Sequence, residues 1–275
     1  MPLGDDELVH DALATWDAGA AMVGIHACDP GCRPLDRARR FARIAERVRA
    51  EGCDAILALA CFSCGGHVSH RQRIGGFGPP PAAAVVDCAT AQRPGPADGG
   101  RDRHVREAAA IFHEGGIAPQ FKCYEPDDVR TALRLRDEGL VVGRLQLQLV
   151  VGAHLGEDAT IERVLALRAL TPPSAVWSVR GEGPGRLSLD VLSLVTGGHI
   201  VTGLEDSAWL VEDVPATNIS LVERVVRVVD ELDRPLATPD EAREILMDDG
   251  VGPDRRSRQK LLAGPVPIDL RSVHG

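Results

Sequence analysis

Apolar runs rich in Val, Ile, Leu and Ala recur at roughly 20–26, 54–60, 83–88, 118–124, 144–150, 174–179 and 199–204, with helical periodicity between them. Runs that are apolar on both faces predict strands of a parallel sheet covered by helices, so the chain reads as consecutive βα units. The helical stretches carry start signals. Thr238-Pro-Asp-Glu opens the helix to Leu246, Asp158 or Thr160 precedes IERVLALRAL, and Asn218 precedes LVERVVRVVDEL; each offers an N-cap oxygen. Closing such a sheet gives a barrel whose active site lies at the C-terminal ends of the strands. Only seven strands can be counted where eight are needed, and the chain opens directly on a helix at about 5–18. The expected fold is therefore α/β, of (β/α)8 TIM-barrel type, lacking its first strand. Residues 1–249 form the barrel domain and 250–275 a C-terminal tail. An opened barrel leaves two bare edges, which the tail or a neighbouring subunit must cover. An open doubly wound sheet is the alternative, but no G-x-G-x-x-G fingerprint follows a first strand.

Composition narrows the function. The 275 residues carry a net charge of -9 and are 44% hydrophobic, enough for a sizeable core and unsuited to general binding of nucleic acid. No run approaches the roughly 18 apolar residues that cross a membrane. The start MPLGDDELVHD has neither a basic leader nor an apolar signal core, so a cytoplasmic location is expected. Seven cysteines without small-scaffold spacing read as reduced thiols that pack as small hydrophobes.

The candidate chemistry sits where strands should end. In VTGGHIVTGLEDSAWL the apolar run stops at two adjacent carboxylates, Glu205 and Asp206, on a Gly-flanked turn, and in AAMVGIHACDP it stops at His26. This places a metal-and-base site at one shared mouth. Other candidates have plainer readings. Cys61 and Cys64 have redox spacing but read as structural thiols; His67 and His70 read as loop residues; His199 begins the last strand and reads as structural. His154 lies on the mouth side, and Glu182 belongs to a Gly-rich loop of a kind that can cradle phosphate.

DAGAAMVGIHACDPGCRP, the turn SCGG at 63–66, RLQLQLVVGAHLG, AVWSVRGEGPGRLSL, GGHIVTGLEDSAWL, ATNISLVERVV and ATPDEAREIL fall in order at successive strand ends. Together they resemble the β-keto acid cleavage enzyme family over about residues 5–248. The resemblance implies a zinc-dependent barrel that condenses a β-keto acid with acetyl-CoA to give acetoacetate and a new acyl-CoA, and an assembly into homo-oligomers. It assigns Zn2+, or another divalent metal, to His26 and Glu205, base chemistry to Asp206, and substrate hydroxyls to Ser63 and Thr90. Several family positions differ here. Gly24 stands at the first metal histidine, Cys28 at an arginine, Cys64 at a threonine, Lys122 near a fifth-strand glutamate, and Val201 at the arginine that partners the base. A third metal ligand would then have to come from Cys28, Cys64 or Cys88, and Asp206 is expected to lack its cationic partner. Two alternatives follow from these departures: a non-catalytic barrel binding a ligand or partner, and a diverged lyase using the same strand-end site.

Overall fold

The computed structural model describes residues 4–27, 34–59, 81–88, 100–152, 160–182, 186–247 and 268–272. Helix α1 (Asp5–Asp17) precedes β1 (Met22–Ile25), and α2 (Pro34–Ala50) leads to β2 (Ile56–Leu59) and β3 (Ala83–Asp87). Then come α3 (Gly100–Glu114), β4 (Ala118–Cys123), α4 (Pro126–Asp137), β5 (Gln146–Gly152), α5 (Ile161–Leu170), β6 (Val176–Glu182), α6 (Arg186–Val195) and β7 (His199–Thr202). A short hairpin of β8 (Trp209–Val211) and β9 (Val214–Pro215) is followed by α7 (Asn218–Glu231), α8 (Pro239–Met247) and β10 (Ile268–Ser272). All seven expected strands are present.

The eighth is β10. The barrel is closed in the order β1-β10-β7-β6-β5-β4-β3-β2. β10 runs parallel to both neighbours, with Met22 opposite Asp269 and Ile25 opposite Ser272 on one side, and Ile200 opposite Ile268 on the other. No strand precedes β1 in the described chain, and the gap this creates is filled from the far end of the sequence, within the segment expected to be a tail. The reason is physical: bare edges of β1 and β7 would each present a row of unpaired backbone groups.

Side-chain alternation splits the strands into two faces. Outward residues such as Val23, Leu57, Phe121, Leu147, Val179 and Ile200 pack with the helices in one large apolar cluster. Inward residues at the N-terminal end of the barrel, among them Met22, Ala58, Ala83 and Ala118, pack with Ala242, Ile245 and Leu246 of α8. That helix plugs the bottom. Above the plug a polar layer crosses the interior: Gln120 Nε2 donates to Gln146 Oε1 at 3.1 Å and Gln148 Nε2 donates to Gln120 Oε1 at 3.4 Å. With the bottom sealed, only the C-terminal mouth is left for chemistry. No described helix is long and apolar enough to cross a membrane.

The helix starts are set by side chains, and one differs from expectation. Thr160 accepts from Arg163 N, and Thr238 and Glu241 form a reciprocal box, with Glu241 N donating to Thr238 Oγ1 at 3.2 Å and Thr238 N donating to Glu241 Oε2 at 2.9 Å. At α7 the cap is Thr217, which accepts from Ser220 N at 3.0 Å. Asn218, expected to cap, stands one residue inside the helix and is used elsewhere.

Candidate active site at the barrel mouth

The turn after β7 is fixed from two directions. Leu204 N–H donates to Asn218 Oδ1 at 2.8 Å, and Asn218 Nδ2 donates to Asp11 Oδ2 of α1 at 2.5 Å. Asn218 itself has no exposed surface, so the centre of this relay is shielded from water while Leu204 and Asp11 are half-buried. It sets the backbone directly before Glu205 and Asp206. Asp206 is buried, with its carboxyl group shut off from solvent, whereas the Glu205 side chain keeps 14% of its surface exposed at the mouth.

Two cations meet these carboxylates. Arg180, an inward residue near the end of β6, is 2% exposed; its Nη2 lies 3.0 Å from Glu205 Oε1 and its Nε is ion-paired with Asp206 Oδ1. Lys122 near the end of β4 places Nζ 3.4 Å from the same Glu205 Oε1. Burial works against the Arg180 charge, but Asp206 and Glu205 outweigh it and drive its pKa above the usual arginine range. Burial pushes the Asp206 carboxyl up, against the opposing pull of Arg180 and Arg186. Two fixed cations and two carboxylates therefore face one another in a site of low local dielectric, where charge is expensive unless paired.

Asp206 thus has a cationic partner, contrary to the expectation drawn from Val201. The partner comes from β6 instead of β7: parallel neighbours bring their ends to the same rim, so a guanidinium on either can reach the turn. Sequence reasoning missed Arg180, although a signal was available. In AVWSVRGE, Trp177 and Val179 face the helices, which puts Ser178 and Arg180 inward, and a charged residue at an inward position near the C-terminal end of a barrel strand faces the mouth. Lys122 in APQFKC carries the same signal.

Around this group, Tyr124 OH donates to Asp87 Oδ2 at 3.3 Å, and burial foremost raises the Tyr124 pKa far above its ordinary value, so the phenol keeps its proton. The β5 and β6 ends approach so closely at Gly152 that a Cβ there would lie 2.4 Å from the Glu182 carbonyl oxygen, and its φ of +130° also favours glycine. Behind the carboxylates, Arg186 and Asp190 of α6 are buried 3.7 Å apart. His199 lies at the N-terminal start of β7, at the opposite end from the mouth, as expected of a structural residue.

His26 immediately follows β1 and is 3% exposed. The donor set for a metal is nonetheless short. Gly24 contributes no side chain, no three His, Cys, Asp or Glu side chains gather into a metal-binding group among the described residues, and Glu205 Oε1 already contacts two cations. Catalytic zinc takes three protein ligands and an open position, so the described residues do not fit it. Cys88 does not fill the gap: it follows β3 buried in the apolar cluster beneath the helices, on the face turned away from the barrel interior, where its thiol interacts with that of Cys123. Cys28, Cys61, Ser63, Cys64, His67, His70, Thr90 and His154, and the Gly-rich turn after Glu182, lie outside the described residues.

The chain resembles proteins of known activity over most of its length. It is 29% identical over 255 residues to 3-keto-5-aminohexanoate cleavage enzyme of Acetoanaerobium sticklandii, covering 90% of each chain. It is 28% identical over 251 residues to 3-oxoadipate:acetyl-CoA acetyltransferase of Cupriavidus necator, covering 90% of this chain and 87% of the relative. Among solved structures, the ternary complex of ObcA with C4-CoA adduct and oxalate superposes with a TM-score of 0.68 at 16% identity, over 89% of this chain and 67% of the other, a likeness of fold. Residues 1–247, which hold every mouth residue named above, match the beta-keto acid cleavage enzyme description, and the chain belongs to that family.

Proposed function

We propose that the protein exchanges acyl groups between a β-keto acid and acetyl-CoA. In this reaction R–CO–CH2–COO⁻ and acetyl-CoA become acetoacetate and R–CO–CoA: the bond between the keto carbon and C2 breaks, C2 bonds to the acetyl carbon, and the CoA thiolate passes to the R–CO group. The observation that carries the reading is the mouth cluster of Glu205, Asp206, Arg180 and Lys122 in a chain that matches the family from end to end of its barrel helices. The names of the relatives from A. sticklandii and C. necator point the same way, since both enzymes act on keto acids and the second uses acetyl-CoA. A non-catalytic barrel has less support, because a binding shell alone gives no reason to bury two carboxylates against two cations.

In this scheme Asp206 takes a proton from C2 of the β-keto acid, a carbon made acidic by the carbonyl beside it. Its raised pKa suits a base that must accept and return that proton. Arg180 orients Asp206 and Glu205 together. The test is direct. Purified protein given acetyl-CoA and a panel of β-keto acids differing in R is expected to form acetoacetate together with the matching acyl-CoA, followed by mass spectrometry. Folded protein that forms neither product from any member removes the proposal.

A further inference from the structure

Glu205 Oε1 is the atom on which the charges of the mouth converge. Lys122 Nζ lies 3.4 Å from it and Arg180 Nη2 lies 3.0 Å from it, while Arg180 also pairs with Asp206. The side chains of Lys122 and Arg180 are 8% and 2% exposed, so neither charge is dispersed by water. Glu205 is therefore already faced by two cations before any ion is added. A divalent cation bound to Glu205 would enter beside two fixed positive charges in a region of low dielectric, where like charges repel strongly. Among the described residues it would also have to make do with His26, with no donor from position 24.

We propose that Lys122 is the built-in cation of this mouth, standing against Glu205 in the place of a divalent metal, so that the site works without bound zinc. Resting on the proposed keto acid chemistry, the inference gives the ammonium a definite task. As C2 loses its proton to Asp206, negative charge develops on the keto oxygen, and a Lys122 N–H donates to that oxygen while remaining protonated. Glu205 then serves as the anchor that fixes the ammonium. The site recognises an acid bearing a keto group, and Gly24, with no side chain beside His26, is consistent with a metal that is not required.

The experiment reads metal and ligand binding apart from turnover. Wild-type protein, Lys122→Met and the double variant Gly24→His/Lys122→Met are purified, their zinc content is measured, and zinc affinity is determined by competition with a chromogenic chelator. Acetoacetate binding is followed by calorimetry after dialysis against EDTA. Wild type is expected to hold no stoichiometric zinc and to bind acetoacetate after chelation. Lys122→Met is expected to bind acetoacetate about 10- to 100-fold more weakly, the range for losing a hydrogen bond to a charged group, with Lys122→Arg recovering part of the loss. The double variant is expected to gain zinc. One tightly held zinc in wild type that disappears in His26→Ala overturns the inference, as does acetoacetate affinity unchanged in Lys122→Met. If Lys122→Met does not fold, the wild-type zinc titration decides alone. A wild type that holds no zinc and binds acetoacetate through Lys122, yet turns over no keto acid, keeps this inference while removing the proposed activity.

Discussion

Arg180 and Asp206 form a buried ion pair between the end of β6 and the turn after β7, with the Asp206 side chain wholly out of contact with solvent. Neither charge is tolerable there alone. The same guanidinium reaches Glu205 through Nη2, so one side chain holds both carboxylates of the turn in a fixed relation. That geometry depends on the planar fork of arginine, which presents separated N–H groups in known directions; lysine offers a single point charge.

Removal of one partner is expected to cost more than removal of both. Arg180→Met strands a buried carboxylate and should destabilise the protein by about 3–5 kcal/mol, read as a shift in the urea midpoint with unchanged slope. Arg180→Lys should fall between wild type and Arg180→Met. In Arg180→Met/Asp206→Asn the stranded charge is gone, so the double variant should be more stable than the sum of the two single losses implies. Additive losses would show that the pair is not energetically coupled.

Asn218 should behave as a positioning residue. Asn218→Ala leaves the half-buried Leu204 N–H and Asp11 without this partner, a loss of about 1–3 kcal/mol. Because the freed backbone lies next to Glu205, kcat should fall by more than stability alone explains, with circular dichroism unchanged. Asn218→Asp should do worse than Ala, since it sets a second acid against Asp11, whose own pKa burial has already raised. An alanine variant with wild-type kcat would sink the positioning role.

How far the sequence disclosed this arrangement differs by residue. Seven strands were legible because each keeps an apolar face toward the helices, although β4, β5 and β6 turn Gln120, Lys122, Gln146, Gln148 and Arg180 inward. β10 was legible only in part: the two bare edges called for a cover and the tail was one candidate, but Ile268-Asp-Leu-Arg-Ser is too short and too mixed in polarity to read as a barrel strand, and its neighbour β1 lies at the opposite end of the chain. Glu205 and Asp206 were legible because paired carboxylates interrupt an apolar run. Arg180 and Lys122 were hidden, since one charged residue in a strand looks like a solvent-facing position until the two faces are told apart. Asn218 reads as a helix cap because Thr217 and Asn218 both offer a side-chain oxygen that can cap, and only the fold decides between them.

Half-buried His199 and buried Asp190 should titrate in opposition. Burial, with help from Arg234, lowers the His199 pKa from 6.5 to about 4, so between these values the unfolded chain binds a proton that the folded chain does not. Stability from this group is complete above pH 6.5 and is lost as pH falls toward 4. Burial raises Asp190 from 3.8 to about 7 despite Arg186, so here the folded chain binds the extra proton. Its stabilising effect is complete below pH 3.8 and is lost as pH rises through 7. The slopes partly cancel in wild type between pH 5 and 7. His199→Gln should therefore become less stable with rising pH relative to wild type, and Asp190→Asn more stable, each by about 1–2 kcal/mol over that span at about 1.4 kcal/mol per pH unit of unbalanced proton uptake. Denaturation midpoints at pH 5, 6 and 7 that move in parallel for all three proteins would contradict both assignments.

β10 joins β1, which leads into His26, to β7, which leads into the turn of Glu205 and Asp206. Ile25, directly before His26, is in register with Ser272, and Thr202, three residues before Glu205, is in register with Leu270. A chain ending at residue 267 loses this shared neighbour, leaving β1 paired only with β2 and β7 only with β6. The exposed edges should promote self-association, seen as added mass in light scattering, and amides of Met22–Ile25 and His199–Thr202 should exchange faster while those of β4 and β5 hold. Leu270→Pro makes the same point within the full-length chain, because proline brings no N–H and a central strand does not accommodate it. Activity should fall more steeply than secondary structure in both cases, since His26 and Glu205 lose the strand that sets their spacing before either loses its own fold. Equal exchange in β1 and β7 with and without residues 268–275 would mean that the barrel closes by other means.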